Sequence, residues 1–257
     1  MKIKNKSVFI LIIALLLVIA IIIGTIVWNL SMGNFNSDKF KTSSGELNIT
    51  VSNNSDDLPR VENPINFNEL EKENEDIHGW ITIPNTKIDY PIVQSYSEDD
   101  LFYIDHDINK EKAKAGAIFT QKLNQRDFTD PNTLIYGHNM ANGTMFRHLH
   151  KFKNKSFFEE NQYFYIYTRG HILTYEIFAA YEYDDRHILN SFNFYDKEVY
   201  AEYLESVQKK NSIYKNLRDV EITTDDRIVT LSTCLTKSKP NKRYLVQGVL
   251  IKDELTY

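Results

Sequence analysis

Cys234 is the only cysteine in the 257 residues, so no intrachain disulfide is available to it and its thiol has no structural partner. Two roles fit an isolated cysteine, a small buried hydrophobe or a nucleophile. A thiol attacks as thiolate, and with an ordinary pKa near ~8.5 only a few per cent is ionised at neutral pH unless a base or cation assists. The nucleophilic reading therefore requires a histidine and a cation nearby. Arg227–Thr233 (RIVTLST) alternates so that Val229 and Leu231 share one face while Thr230, Ser232 and Cys234 share the other. With Val229 and Leu231 turned to a core, Cys234 faces out at a strand end, where a rigid scaffold presents reactive groups.

Seven histidines compete for the role of base. His138 lies in NTLIYGHNM (Asn132–Met140), directly after an expected strand and a glycine, so its ring emerges at a strand end as the thiol does. His148 and His150 share MFRHLHKF, which reads as helical; two apart, they point to different faces and make a poor metal pair. For His78, His106, His171 and His187 a solvated or structural role is the default. Arg243 stands at the start of RYLVQGVLI, a short connection after Cys234. Antiparallel pairing of the two strands would set it beside the cysteine, where an arginine can hydrogen-bond a developing oxyanion. An ordinary surface arginine is the alternative, since Lys237, Lys239 and Lys242 make the connection basic. Spacing alone leaves both readings open, and it assigns no third residue to orient His138; Asp225 and Asp226 merely precede the cysteine strand.

The elements that must hold these residues are mostly strands. Tyrosines and phenylalanines bring the aromatic share to 13%, a composition that favours β-structure. Period-two segments bounded by Pro, Gly, Asn and Asp predict strands at Trp80–Ile83, Ile88–Val93, Gly116–Phe119, Thr133–Tyr136, Tyr163–Thr168, Ile172–Tyr183, Arg227–Thr233 and Arg243–Ile251. Eight short strands imply a closed or nearly closed barrel. Helices are expected at Phe67–Ile77 before the strands, at Met145–Phe152, and at Lys197–Lys210, where Val199, Tyr203, Leu204 and Val207 form one apolar stripe.

Val8 to Trp28 is apolar except for Gly24 and Thr25, and at a helical rise it reaches about 30 Å, the thickness of a bilayer's hydrocarbon core. It predicts a transmembrane anchor at 8–28, longer than the ~7–15 apolar residues of a cleaved signal peptide. Lys2, Lys4 and Lys6 place residues 1–7 in the cytoplasm and everything after the span outside. Residues 31 to 64 are rich in Ser, Asn and Asp, so 29–64 reads as an extracytoplasmic linker, followed by a single domain over 65–257. A formal net charge of -5 argues against a nucleic-acid partner, which requires a basic surface.

TLSTC at Thr230–Cys234, LIYGHNM at Leu134–Met140 and Arg243 together resemble the sortases, as do IPNTKIDYPIVQ (Ile83–Gln94), AGAIF (Ala115–Phe119) and GTMF (Gly143–Phe146). Ser232 in the variable position of the motif, a helix before the barrel and a helix before the cysteine strand resemble class B. The resemblance spans about residue 66 to 251. It implies a mainly β fold, an eight-stranded sortase-type barrel. It also implies a cysteine transpeptidase of Gram-positive cell surfaces, with Cys234, His138 and Arg243 catalytic and Ser232 and Thr233 binding substrate. The implied partners are the sorting-signal peptide of a surface protein, NPxTN-like, and a peptidoglycan cross-bridge amine or its lipid-linked precursor. Only a minor thiolate–imidazolium fraction is the family expectation. The mechanism calls for no metal and no cofactor, and water resolving the thioester, as in a cysteine protease, or pilin polymerisation, is the rival outcome.

Overall fold

The structure is a computed structural model that describes residues 19, 37–42, 59–209, 212, 214–236 and 239–257. The expected anchor at 8–28 lies outside the described residues except for Ile19, and among those described no helix is long and apolar enough to cross a membrane.

Alternating apolar residues form β1 (Ile77–Thr82), β2 (Asp89–Val93), β3 (Ile118–Phe119), β4 (Asn132–Tyr136), β5 (Tyr163–Thr168), β6 (His171–Asp184), β7 (Asn216–Leu217), β8 (Ile228–Thr236) and β9 (Lys239–Leu255). They run in the order β5-β1-β2-β3-β4-β8-β9-β6, and β6 pairs again with β5, which closes an eight-stranded barrel; β7 is a two-residue addition to the edge of β6. Closure leaves no open edge among the eight. Pairing is antiparallel except between β2 and β3 and between β4 and β8. The β4–β8 contact sets His138 near Cys234, because Tyr136 at the end of β4 is opposite Ser232.

Each face of β8 is covered. Val229, Leu231 and Leu235 belong to the barrel interior with Ile135, Phe146, Phe164 and Tyr244. Ile228, on the other face, packs beneath α4 (Lys197–Lys209), whose buried side chains are Tyr200, Tyr203 and Val207. The stripe is rotated from the expected one: Tyr200 takes the place of Val199, which is half-buried. A buried polar chain pins the helix to the sheet. Gln247 Nε2 donates to Tyr203 Oη and to Thr230 Oγ1, both at 2.8 Å, and Thr230 donates to Asn132 Oδ1 at 2.9 Å. Tyr181 supplies Gln247 Oε1 with its hydrogen bond at 3.0 Å. Among the described residues the polar chain ends at Asn132, whose Nδ2 is buried without a hydrogen-bond partner, while the groups between Tyr181 and Asn132 Oδ1 are bonded and order the surrounding core. Thr230 is thus buried beneath the helix layer, Ser232 is buried at the floor of a cleft, and the outer face of β8 is first half-exposed at Cys234.

Several expected elements differ: β1 starts at Ile77 rather than Trp80, β3 is shorter, and β8 runs on to Thr236. The first helix, α1 (Phe67–Glu73), stops before Ile77 because Asn74 Oδ1 accepts from Asp76 N–H at 2.9 Å while its amide reaches Tyr103 Oη and Ile108 O, a side-chain turn that competes with helix. Phe146–Lys153 is a 3₁₀ helix, followed by α2 (Lys155–Glu160) with Asn154 as its N-cap. The apolar spacing Phe146, Leu149, Phe152 suits a three-residue period at least as well as 3.6. The last strand begins at Lys239 rather than at Arg243, since pairing continues past Cys234 to Thr236 opposite Lys239. Within 29–64, Phe40 is buried against the core group of Trp80, Leu70 and Phe119; one aromatic in a polar run supplies too little periodicity to foretell that contact.

Asp76 is fully buried and holds the segment that leads to the site. Tyr103 Oη donates to it at 2.6 Å, Tyr96 N–H at 2.9 Å, and Lys110 Nζ lies 3.0 Å away. Burial opposes its charge, but these partners outweigh it and hold its carboxyl below the ordinary 3.8. A depressed carboxylate contributes stability that is full above the unfolded pKa and is lost as pH falls through the folded one. Asp76→Asn is expected to cost on the order of 3 kcal/mol near neutrality, mostly from the buried donors and less from half-exposed Lys110. Urea midpoints of the two proteins should converge as pH falls below the unfolded value near 3.8 and through the depressed folded one; a gap independent of pH would show that the charge does not matter.

Candidate active site

Cys234 and Arg243 face each other directly across β8 and β9. Side chains of an antiparallel cross-strand pair project to the same side with Cβ atoms ~4.5–5.5 Å apart, so guanidinium and thiol share one face. The thiol is free and half-buried, and the Nη1 of half-buried Arg243 donates to Lys242 O at 3.3 Å. Burial pushes the Tyr136 hydroxyl upward in pKa while the Arg243 guanidinium works against it, which places that charge toward Tyr136 and the end of β4.

His138 follows Gly137, whose N–H extends the ladder by donating to Ser232 O at 3.1 Å. A side chain at Gly137 would meet Ile118 Cδ1 at 2.5 Å and the Phe146 ring at 2.7 Å, so glycine is what lets the chain leave β4 this close to the core. The His138 ring is set from the far wall, with Nε2 2.7 Å from the Ile104 carbonyl. A carbonyl only accepts, so Nε2 carries a proton, and Nδ1 is the nitrogen available for proton transfer. The orienting group that no acidic residue supplies in the sequence is thus a backbone oxygen.

These residues line one cleft of about 320 Å³, with Ser232, Thr233 and Leu245 beneath and Leu101, Ile104 and Ile188 among its apolar walls. All five residues singled out in the sequence, Cys234, His138, Arg243, Ser232 and Thr233, border it. They do not border it alike: Ser232 shares the face of Cys234, whereas the Thr233 hydroxyl is turned the other way and donates to Gly137 O at 2.7 Å.

His187, given a structural role by default in the sequence, also lines the cleft. Its Nε2 is 2.7 Å from Gln121 Oε1 and its Nδ1 accepts from Asn190 N–H as the cap of α3 (Ile188–Ser191). Both nitrogens are engaged, and burial lowers its pKa. Half-buried His78 is likewise held at both nitrogens and, mainly through desolvation, pushed down to about 4, His148 accepts from Lys87 N–H, and His106 and His171 pair with Asp105 and Asp253. Of the histidines bordering the thiol's cleft, His138 alone leaves a nitrogen to act.

Residues 81–251 match the family model described as Sortase domain. The chain is 41% identical over 186 residues to sortase B of Listeria monocytogenes, covering 71% of this chain and 73% of that protein. Its fold is similar to the crystal structure of Clostridium perfringens sortase B, with a TM-score of 0.64, 36% identity and coverage of 72% of this chain and 100% of that one. It is also similar to a Staphylococcus aureus sortase B–substrate complex, at a TM-score of 0.63 and 30% identity, covering 73% and 85% of the two chains.

Proposed function

The chain belongs to the sortase family, class B, and from that premise we propose that Cys234 cleaves a C-terminal sorting motif of a surface protein after threonine and passes the acyl group to an amine of the cell wall. The observation that carries this reading is the cross-strand pair of Cys234 and Arg243 bordering one cleft with His138. The Cys234 thiolate attacks the threonine carbonyl, and the oxygen takes up negative charge within reach of the Arg243 guanidinium. As the tetrahedral intermediate collapses, the C–N bond breaks, the leaving amine takes a proton from His138 Nδ1–H, and a thioester remains. An acceptor amine then attacks the thioester, Nδ1 takes its proton, and the Cys234 thiolate leaves. Throughout, Nε2–H keeps its bond to Ile104 O, so the ring changes charge without turning.

An NPxTN-like peptide suits the cleft, whose apolar walls at Leu101, Ile104 and Ile188 suit aliphatic side chains of an extended segment. The structure complex of the S. aureus relative contains substrate, which supports a peptide ligand here. A peptidoglycan cross-bridge or its lipid-linked precursor supplies the amine, and the apolar span at 8–28 holds the enzyme on the outer face of the membrane where both substrates lie.

Full-length enzyme in detergent, incubated with an NPxTN peptide with and without oligoglycine amine, is expected to give a ligated product that depends on the amine. It should also give a Cys234 acyl-enzyme that builds up in its absence, read by intact-protein mass spectrometry. Cleavage at the same rate with either mixture and no ligated product would make the protein a hydrolase.

A further inference from the structure

Carbonyls along a strand point alternately to its two neighbours. Ser232 O faces β4 and takes the last ladder bond, from Gly137 N–H at 3.1 Å, so the next acceptor on that side belongs to Cys234 itself. The β4 strand has ended by then, and β8–β9 pairing is irregular between Cys234 and Thr236. One side chain meets both carbonyls at this point: Asn139 Nδ2 donates to Cys234 O at 2.9 Å and lies 3.2 Å from Leu235 O. Asn139 is the residue after His138.

The amide is held from two further sides. Arg147 Nη1 donates to Asn139 Oδ1 at 2.8 Å, which fixes the end of the amide that is oxygen. Asn139 Nδ2 is also 2.9 Å from His150 Nε2. With Nδ2 a donor, that ring nitrogen accepts, so His150 is neutral with its proton on Nδ1, and its 3.1 Å approach to Cys234 O carries no hydrogen. Burial, with Lys153 and Arg147 adding to it, pushes His150 down to about 4, in keeping with a neutral ring. The ring stacks on Tyr244, the neighbour of Arg243, at a centroid distance of 5.3 Å. The loop returns tightly onto the same point, with Phe146 N–H donating to His138 O at 2.9 Å.

We infer that Asn139 is a positioning residue: its amide, locked by Arg147 and His150, ties the loop bearing His138 to the backbone of Cys234 and thereby sets the separation of base and thiol. This rests on the roles proposed above for His138 and Cys234. One peptide unit links His138 to Asn139, so a lost bond to Cys234 O releases the ring by a distance on the order of 1 Å, a misplacement that costs about 10²-fold in a proton transfer.

Full-length wild type, Asn139→Ala, His138→Ala and the double variant are compared in peptide acylation and in alkylation of Cys234 by iodoacetamide. Asn139→Ala is expected to lose about 10- to 100-fold in kcat with KM within about twofold. In alkylation, removing His138 should slow wild type but leave the Asn139→Ala background nearly unchanged, the signature of two coupled sites. A wild-type kcat, a loss carried by KM alone, or an undiminished His138 effect in Asn139→Ala overturns the proposal. Should Asn139→Ala fail to fold, exposed Arg147→Leu is expected to show smaller losses of the same kind, and wild-type behaviour there overturns it equally. Alkylation needs no substrate: a wild-type chain that never ligates peptide but is alkylated in a His138-dependent way defeats transpeptidation and leaves the positioning test standing. Alkylation indifferent to His138 in wild type defeats both.

Discussion

Cys234→Ala is expected to bring acylation and ligation below detection, a loss on the order of 10⁶-fold, the scale at which removing a covalent nucleophile leaves only binding and oxyanion stabilisation. The size follows from the geometry: Arg243, His138 and the apolar walls all converge on one sulfur, and no other cysteine exists to substitute for it. Stability should barely change. The side chain is half-buried at the rim of the barrel, β8 is paired on both sides, and deleting Sγ empties little core volume. Peptide affinity measured on the variant should stay within a few-fold of wild type, because Leu101, Ile104 and Ile188 remain in place. Turnover in Cys234→Ala above a hundredth of wild type would move the nucleophile elsewhere and leave the thiol as a small hydrophobe, the alternative open from the sequence.

What the sequence made legible was whatever depends on alternation and short connections. Val229 and Leu231 fix the inward face of the cysteine strand by period alone, and the outward face follows for Ser232 and Cys234. Antiparallel pairing of the cysteine strand with the last strand was suggested by the short connection, but the register that sets Cys234 opposite Arg243 was not, since an irregularity between Cys234 and Thr236 shifts it. That Thr230 would be buried on the supposedly outer face was not legible. It depends on α4 lying over β8 and on Gln247, far along the chain, completing a polar chain with Tyr203 and Thr230. Contacts made by backbone oxygens left no trace either. Ile104 reaches His138 across 34 positions through its carbonyl, and any residue type supplies a carbonyl. Asn139 carried a faint signal, an amide beside the candidate base in GHNM, but its target was an acceptor exposed only because β4 stops one residue pair too early to cover it. The loop 138–146 that brings the amide there uses Met145 at φ 56° and Gly143 at φ 88°, a path that hydrophobic period does not encode.

Arg243→Lys separates the two things an arginine contributes. The charge survives, while the planar fork of five donors is replaced by an ammonium with three donors on one point. If charge alone stabilised the oxyanion, lysine would serve. The register argues otherwise: Arg243 sits directly opposite Cys234, so a long side chain must turn back over its partner to meet an oxygen bonded one atom beyond Sγ, and a second contact is already made through Nη1 to Lys242 O. A forked donor set serves both ends of that turn; an ammonium reaching the oxyanion gives up the other anchor. Arg243→Lys is therefore expected to lower kcat about 10²-fold, and Arg243→Ala about 10²–10³-fold, the cost of removing one well-placed donor to a tetrahedral intermediate. Both variants should keep near wild-type melting temperatures, since residue 243 is half-exposed at the rim of the cleft. Single-turnover acylation of an NPxTN peptide isolates the step, free of any effect on the acceptor amine. Full acylation rate in Arg243→Ala would strip the residue of its role, whereas full rate in Arg243→Lys with a crippled alanine variant would assign the effect to charge and not to the fork.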